Sequence, residues 1–281
     1  MMFAANSILF VPGSRADRIA KALASDADLV CIDLEDAVAP PDKDSARATV
    51  IAGLAGFDHA RTAVRINGTM TRPGIKDMIA IAESALAPAW VFVPMVEHAS
   101  EIAQVARVLD NPAIGLIPLI ETVKGLREAH RIARQPGVAA MMFGGGDFSA
   151  QLGVDLAFDP LLVARGQFIM ACADAGVPAI DVPFVKLDDA AGLADECRKV
   201  RSLGFAAKAA IHPAQVPAIN AGFGADAAAI AEANEAIAAY EAAGGMAIRH
   251  NGKMLEAPIV ARMRALLARE ALKNQKETID A

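Results

Sequence analysis

Carboxylate residues follow two neighbouring apolar segments of the sequence, and their chemistry suits a metal ion. Glu121 follows residues 114–120, and Asp147 follows residues 139–143 after three consecutive glycines. Two carboxylates at neighbouring strand ends can share a hard cation. Mg²⁺ usually takes one or two protein carboxylates, while substrate and water complete its coordination shell. We therefore expect Glu121 and Asp147 to bind Mg²⁺, with Mn²⁺ as a substitute.

Arg65 ends the apolar segment 63–66 and is the expected partner of an anionic substrate. A guanidinium can hold a carboxylate or stabilise negative charge that develops on oxygen. An ion pair with Glu35 or Asp36 is the structural alternative, and both roles are compatible. Asp36 and Asp147 could also simply cap the helices that follow them.

Glycine and proline residues at two further segment ends are candidates for close approach to a ligand. The glycines before Asp147 lack a Cβ atom, so their backbone can lie near a bound molecule. We therefore expect the substrate to contact Gly146 and Pro183, and also Glu35 beside Arg65.

The elements that position these residues are eight short apolar segments separated by amphipathic stretches. Such segments are typical of strands buried on both faces, and the stretches between them have the spacing of helices. Strands that alternate with helices form parallel units, and eight units in 281 residues predict a TIM (β/α)₈ barrel. A doubly wound open sheet is the competing fold. The predicted strands are residues 8–11, 29–34, 63–66, 90–95, 114–120, 139–143, 179–184 and 207–211.

The last part of the sequence predicts a helical extension that follows the barrel. Residues 225–243 are rich in alanine and are interpreted as the eighth barrel helix, so the barrel domain is placed at residues 1–243. Gly244 and Gly245 then form a joint, a short polar segment covers 246–258, and a helix covers 259–272. Residues 244–281 are therefore a candidate lid or oligomer arm.

Composition narrows the class of protein. Hydrophobic residues make up 54% of the chain and the net charge is −6, so no basic surface for nucleic acid is expected. The three cysteines lack the spacing of a disulfide framework or a zinc site. No signal peptide or membrane-spanning segment is recognised, and a cytoplasmic location without membrane partners is expected.

Several blocks of the sequence together resemble the citrate lyase β-subunit family, within the wider superfamily of HpcH/HpaI aldolases. They extend through most of the chain in a consistent order. The blocks are residues 7–14 (SILFVPGS), 33–38 (DLEDAV), 64–68 (VRING), 120–122 (IET), 144–147 (GGGD), 181–184 (DVPF) and 211–215 (IHPAQ).

The resemblance implies a TIM barrel with Mg²⁺ on Glu121 and Asp147, and with Arg65 in contact with a 2-oxo acid. It also implies a thioester substrate of coenzyme A (CoA) or an acyl carrier, and a homotrimer or homohexamer. The implied reaction is lyase cleavage of a carbon–carbon bond in a 3-hydroxyacyl thioester such as malyl-CoA, citramalyl-CoA or a citryl thioester. Asp36 or a metal-bound water is the candidate acceptor of the hydroxyl proton.

The C-terminal segment of this family often covers the active site of a neighbouring subunit. Its motif resembles Asp-Gly-Lys-Met-Ile-Asp-x-Pro, in which the second Asp is the acid–base group. Residues 251–258 here are NGKMLEAP, so Glu256 stands at that position. The extra methylene moves the carboxyl group by roughly an ångström, a shift that can cost on the order of 10²-fold in rate. An ordinary solvated glutamate is the alternative interpretation.

Basic residues near the first and second predicted helices are candidates for the CoA phosphates, although exposed lysines and arginines are more often only solvated. Helix N-termini attract phosphate through free backbone N–H groups. The candidates are Arg15, Arg18, Lys21 and Lys43.

Three other functions remain open from the sequence. The chain could be the subunit of a citrate lyase complex that acts on a citryl-carrier protein. It could be a pyruvate-forming class II aldolase, but the loop after the second strand lacks the histidine that serves as base in such enzymes. It could also be a binding barrel without turnover.

Overall fold

The computed structural model describes residues 3–85, 87–225 and 227–279. Eight parallel strands close into a barrel in sequence order, which confirms the predicted TIM fold. Each predicted segment overlaps one of them, with ends shifted by a few residues. The barrel strands are β1 (Ser7–Pro12), β2 (Leu29–Asp33), β3 (Thr62–Arg65), β4 (Trp90–Val93), β5 (Gly115–Ile120), β6 (Met141–Phe143), β7 (Ala179–Asp181) and β8 (Ala207–Ala210).

Helices connect successive strands and cover the outside of the barrel. Three of them end at a glycine with positive φ, Gly153 at 68°, Gly176 at 70° and Gly204 at 113°, a conformation that glycine adopts without steric cost. The helices of this part of the chain are α1 (Ala16–Leu23), α2 (Lys43–Gly53), α3 (Arg72–Ala82), α4 (Ala99–Leu109), α5 (Val123–Ala133), α6 (Gly145–Leu152), α7 (Leu162–Ala175), α8 (Ala190–Leu203) and α9 (Val216–Phe223).

The apolar core has two layers, one inside the barrel and one between the strands and the helices. Trp90 fills the interior and meets Phe3 edge-on, with ring centroids 5.5 Å apart. Gly115 lies against the Trp90 indole, where a Cβ atom would collide with the ring. Phe10 and Phe92 form a similar edge-on pair nearer the carboxyl ends of the strands, with centroids 5.6 Å apart. Packed side chains thus fill the barrel interior below the carboxyl ends of the strands.

A second compact unit follows the first, and the division falls between Met1–Phe223 and Gly224–Ala281. Its elements are α10 (Ala227–Ala242), β9 (Ile248–His250), β10 (Lys253–Leu255) and α11 (Ala257–Ile279). The two strands form a hairpin whose turn, Asn251 and Gly252, has positive φ at both residues.

The eighth barrel helix is α9 and not α10, which corrects the interpretation of residues 225–243. α9 follows β8 directly and packs against β8, β1 and α8, whereas α10 belongs to the second unit. The boundary between the two compact units thus lies twenty residues before the domain boundary that the sequence predicts. Most of these twenty residues belong to α10.

Two simpler expectations concern membrane-spanning helices and cysteine pairing. None of the described helices combines the length and the apolar character that crossing a bilayer requires. Cys31, Cys172 and Cys197 are buried and unbonded, as their spacing predicts.

Candidate active site

A cavity of about 490 Å³ opens at the carboxyl ends of the barrel strands. In TIM barrels this face carries the catalytic residues, because the loops that follow the strands converge there. One side of the cavity is charged and the other is apolar. The charged lining consists of Arg18, Asp33, Asp36, Arg65, Glu121 and Asp147, and the apolar side includes Leu156, Val182, Pro183, Val185 and Ile211.

Strand alternation explains why three of these side chains point into the cavity. Successive residues of a strand face opposite sides, so every second residue lines the barrel interior. Cys31 and Ala63 belong to the interior core, and Asp33 and Arg65 follow them by two residues. Leu119 in β5 is likewise interior, and Glu121 follows it by two. The polar side chains thus form the layer above the apolar interior.

Arg65 is fixed by a bidentate pair with Asp33. Its Nε donates to Asp33 Oδ1 at 2.7 Å and its Nη2 to Asp33 Oδ2 at 2.6 Å. The two residues occupy the same register of adjacent strands, and the guanidinium also lies over the Phe10 ring, 5.3 Å from its centroid. Burial opposes the positive charge, but the Asp33 hydrogen bonds and charge outweigh it and hold the Arg65 pKa above its usual value. Arg65 is therefore a permanent and oriented cation.

Glu121 is a buried carboxylate with a constrained side chain. It is 5% exposed, and its Oε2 accepts a hydrogen bond from the Met95 backbone N–H at 2.7 Å. Met95 has φ of 54°, a left-handed conformation that is costly for a residue other than glycine. Gly144 packs against the same side chain, and an added Cβ there would collide with Glu121 Cγ. Burial raises the Glu121 pKa to about 7, although the Met95 hydrogen bond opposes this.

Asp147 lies in the first turn of α6 and is exposed at the cavity. The described residues contain no group of three His, Cys, Asp or Glu side chains that could hold a metal by itself. Mg²⁺ does not need one, because one or two carboxylates suffice when substrate and water supply the other oxygens. Glu121 and Asp147 on one cavity wall fit that requirement, and Arg65 beside them can balance the charge of an acidic substrate.

Glu35 and Asp36 both lie near Arg65 Nη1. Glu35 Oε2 is 2.8 Å from Arg65 Nη1, an ion pair without hydrogen-bond alignment, and Asp36 Oδ2 is 3.6 Å away. Asp36 has a side chain 71% exposed and lines the cavity. Burial raises the Glu35 pKa to about 8, against the opposing charge of Arg65.

Glu35 faces a neighbouring depression of about 940 Å³ instead of the smaller cavity. That depression is larger, but it lacks Arg65, Glu121 and Asp147. We therefore take the smaller cavity as the candidate active site. In it Gly146 leaves open space around its Cα, and Pro183 forms part of the apolar side.

The basic residues proposed for phosphate contacts are in different situations. Arg18 lines the cavity, whereas Arg15 pairs with Asp17 at 2.8 Å and Lys21 is exposed on α1. Lys43 Nζ donates to the backbone carbonyls of Leu34 and Glu35, at 2.9 and 2.6 Å, and so anchors the β2–α2 loop. Only Arg18 of the four lies at the cavity.

Glu256 belongs to the second unit. It is exposed, follows β10 directly, and its carbonyl accepts the first backbone hydrogen bonds of α11. Its predicted role in catalysis stays a prediction.

Two site residues were not predicted as such from the sequence. Asp33 belongs to the block 33–38, but no role is predicted for it from the sequence. Strand alternation and its pairing with Arg65 place it in the cavity. Met95 contributes a backbone N–H through a strained conformation, and no sequence pattern signals that.

The fold and this cavity together define a class: TIM barrels with a metal-type carboxylate site and an anion-binding arginine at the carboxyl ends of the strands. Residues 6–213 match the family described as HpcH/HpaI aldolase/citrate lyase, and the chain belongs to that family. The resemblance stated from the sequence is thereby confirmed.

Three similar proteins illustrate the range of the family. A (3S)-malyl-CoA thioesterase of Cereibacter sphaeroides is 36% identical over 84% of this chain and 83% of its own length. The mitochondrial citramalyl-CoA lyase of Homo sapiens is 30% identical over 90% of this chain and 82% of its own. The protein CitE of Mycobacterium tuberculosis, solved with magnesium, acetoacetate and coenzyme A, has a TM-score of 0.80 and 31% identity, covering 95% of this chain and 98% of that one.

Proposed function

We propose that this protein is a Mg²⁺-dependent carbon–carbon lyase. Its substrate would be a 3-hydroxyacyl thioester such as malyl-CoA, citramalyl-CoA or a citryl thioester, and its products a 2-oxo acid and an acyl thioester. The observation that carries the proposal is the convergence of Arg65, Glu121 and Asp147 on one cavity. The similarity to citramalyl-CoA lyase supports this substrate class.

Glu121 and Asp147 are the residues that would hold Mg²⁺, and Mn²⁺ is expected to replace it. When bound there, the ion would supply a Lewis acid that lowers the pKa of the substrate hydroxyl. The acetoacetate–magnesium complex of the CitE structure supports an oxo-acid ligand for this type of site.

The chain's own residues then provide for movement of charge and protons. Asp36, exposed at the cavity beside Arg65, is the proposed acceptor of the hydroxyl proton. The electrons of the broken carbon–carbon bond pass to the thioester fragment as an enolate, while the hydroxyl carbon becomes the carbonyl of the oxo acid. Arg65, oriented by Asp33, stabilises the negative charge. Glu256 of another subunit is the proposed donor of the proton that completes the acyl thioester.

The apolar side of the cavity suits the carbon skeleton of a short acyl or oxo-acid group, and Arg18 is the proposed contact for a CoA phosphate. We propose a homotrimer or homohexamer, because the lid motif functions between subunits in the family that the sequence resembles.

A thioesterase is the second candidate, since one similar protein is a (3S)-malyl-CoA thioesterase. A lyase releases an oxo acid and keeps the thioester bond in the acyl product. A thioesterase releases free CoA thiol and leaves the hydroxy acid intact. The two activities therefore differ in both products.

The test is a panel of malyl-CoA, methylmalyl-CoA, citramalyl-CoA and citryl-CoA, assayed with Mg²⁺ and with EDTA. Oxo acid is detected as its phenylhydrazone and free thiol with a disulfide reagent. Oxo acid without free thiol, abolished by EDTA, is the expected result. Free thiol without oxo acid would replace the lyase by the thioesterase. No turnover of any member would contradict both activities on free CoA esters.

A further inference from the structure

A buried group of four charged residues lies behind the apolar side of the cavity and is used by no step described above. Asp181 is the last residue of β7, and Lys208 is the second residue of β8, in register with it. Both face outward from the barrel and are fully buried. Arg165 from α7 and Glu196 from α8 complete the group, which we call the charged network. Charged side chains are rarely fully buried unless they are paired, and loss of one partner of a buried pair is costly.

The contacts of the charged network are short and nearly complete. Asp181 accepts from Arg165 Nε at 2.8 Å and from Lys208 Nζ at 2.6 Å, and Lys208 Nζ also donates to Glu196 Oε1 at 2.7 Å. Burial alone would raise the pKa of Asp181, but the charges of Lys208 and Arg165 outweigh it and lower the pKa below its usual value.

The remaining donors of the network bind backbone carbonyls of the cavity side. Lys208 Nζ donates to the Val182 carbonyl at 2.7 Å. Arg165 Nη1 donates to the Ala157 and Phe158 carbonyls, at 3.2 and 3.4 Å. These segments carry Leu156, Val182 and Pro183, which we call the apolar wall.

The apolar wall has space on both sides. Leu156, Val182 and Pro183 line the candidate active site and also a separate void of about 80 Å³ whose other lining includes Arg165 and Glu196. The wall is therefore a thin layer between the substrate cavity and the charged network. If the network loosened, the wall could retreat into the void and the cavity would widen.

The wall also adjoins the metal-type site. Leu156 Cδ1 and Val182 Cγ1 would each lie 3.1 Å from a Cβ atom added at Gly145, the first residue of α6, two residues before Asp147. The wall therefore lies within reach of the substituent of an oxo acid held near Asp147. This substituent is a hydrogen in a glyoxylate unit and a methyl group in a pyruvate unit.

We propose that the charged network fixes the apolar wall and thereby sets how large a substituent the oxo-acid half of the substrate can carry. The proposal rests on the lyase function and assigns Glu196 and Lys208 as positioning residues for specificity. One methyl group in an apolar pocket is worth about 10- to 200-fold in discrimination, so a displaced wall should be measurable.

The test compares Glu196→Ala with wild type in kcat/KM for citramalyl-CoA, which yields pyruvate, relative to malyl-CoA, which yields glyoxylate. Glu196 is the most exposed member of the network, with a side chain 12% accessible. We expect the ratio to rise about fivefold or more, within what one methyl group can contribute. Glu196→Gln keeps an acceptor for Lys208 and should restore the wild-type ratio.

Glu128→Ala is the matched control, because Glu128 is a helical glutamate in α5 whose partner is the exposed Arg131. It should leave the ratio unchanged. A folded Glu196→Ala variant that slows both substrates equally, or leaves the ratio unchanged, would overturn the proposal. If that variant does not fold, Glu196→Asp shortens the side chain by one methylene and must shift the ratio in the same direction.

A binding measurement separates this proposal from the lyase function. The Kd values of glyoxylate and pyruvate in the presence of Mg²⁺ are compared in wild type and Glu196→Ala by isothermal titration. If wild type cleaves no thioester, but Glu196→Ala binds pyruvate more tightly relative to glyoxylate than wild type does, the network proposal stands and the lyase function fails. An unchanged Kd ratio, or no oxo-acid binding by wild type, overturns the network proposal.

Discussion

Arg65 is the side chain on which both the structure of the site and its proposed chemistry depend. Replacing it with alanine removes the cation beside the reacting oxygens, and we expect a loss of about 10²–10³ in kcat. Arg65→Lys should recover little of the lost kcat, because a lysine cannot reproduce the bidentate pair with Asp33. Turnover per folded molecule is measured by steady-state release of oxo acid.

The same substitution leaves Asp33 buried without its partner, so a stability loss on the order of 3–5 kcal/mol is expected in Arg65→Ala. Denaturant unfolding separates this effect from catalysis, since kcat is compared only under conditions where the variant is folded. Near-wild-type kcat in folded Arg65→Ala would eliminate the proposed role of the guanidinium.

The buried carboxyl groups predict how stability depends on pH. Burial raises the Glu35 pKa from 4.5 to about 8, so the folded protein retains a proton that the unfolded chain releases. Where the folded state binds more protons, stability decreases as pH rises. The favourable contribution of Glu35 is complete below pH 4.5 and is lost as the pH passes 8.

We therefore expect the free energy of unfolding of Glu35→Gln, relative to that of wild type, to be higher at about pH 8.5 than at about pH 5. Both proteins are unfolded with urea in EDTA at the two pH values. Glu128→Gln serves as control. A difference between Glu35→Gln and wild type that stays constant with pH would show that Glu35 ionises normally in the folded protein.

At the residue scale the sequence predicts the charged side chains and the pairing of Arg65 with Glu35 or Asp36, but not the bidentate pair of Arg65 with Asp33. Arg65, Glu121 and Asp147 stand at strand ends, where a TIM barrel carries its active site. Asp33 could also have been found there, because it lies two residues after an interior position of β2 and in register with Arg65. The support that Met95 gives Glu121 depends on a left-handed backbone residue, which arises only from tertiary packing.

At the scale of elements, the β6–α6 loop approaches Glu121 so closely that only glycine fits at position 144. A Cβ atom at Gly144 would collide with Glu121 Cγ and lie 2.7 Å from its Oε1. Gly144→Ala should therefore displace this carboxylate and weaken Mg²⁺ binding by about 10- to 100-fold, the usual cost of disturbing the support of a ligand.

Gly146→Ala, two residues further on in the first turn of α6, is the matched control, because nothing lies within 4 Å of a Cβ atom added there. Its Mg²⁺ affinity by isothermal titration should stay close to that of wild type. Equal affinities in Gly144→Ala and Gly146→Ala would mean that Glu121 is not held as the structure indicates.

Elements with a strong apolar period were predicted well, and short or glycine-rich ones were not. Every barrel strand overlaps a predicted segment, because strands buried on both faces give continuous apolar runs. α6 was missed because it begins with Gly145 and Gly146, which are poor helix formers. The β9–β10 hairpin was predicted as a polar segment, although Asn251-Gly252 is a strong turn signal.

At the scale of the whole molecule, the proposed site is incomplete without the second unit. The family match ends at residue 213, so it covers the barrel but not Glu256. The barrel supplies Arg65, Glu121 and Asp147, whereas the proposed acid–base group lies on the exposed segment after β10. If that segment covers a neighbouring subunit, one catalytic site requires residues from two chains.

Subunit mixing tests this arrangement. Arg65→Ala and Glu256→Ala are each expected to be nearly inactive, because each lacks one half of the chemistry. In mixed oligomers, a site that takes Arg65 from one chain and Glu256 from its neighbour can recover both native residues. Oligomers that contain both variants should regain roughly one quarter to one third of wild-type activity, because in a mixed trimer one of the three sites combines a native Arg65 with a native Glu256.

The two chains are co-expressed with different affinity tags and purified through both, so that every oligomer contains both variants. Arg65→Ala mixed with Glu121→Gln is the control, because both residues belong to the barrel of one chain and each pure oligomer lacks one of them. The control pair regains activity only if one site takes Arg65 and Glu121 from the barrels of two different chains. Recovery in the Glu256 pair alone therefore identifies the lid as the shared element. If pure Glu256→Ala is nearly inactive and neither pair recovers activity, Glu256 acts within its own chain. Near-wild-type turnover of pure Glu256→Ala oligomers would instead show that Glu256 takes no part in catalysis.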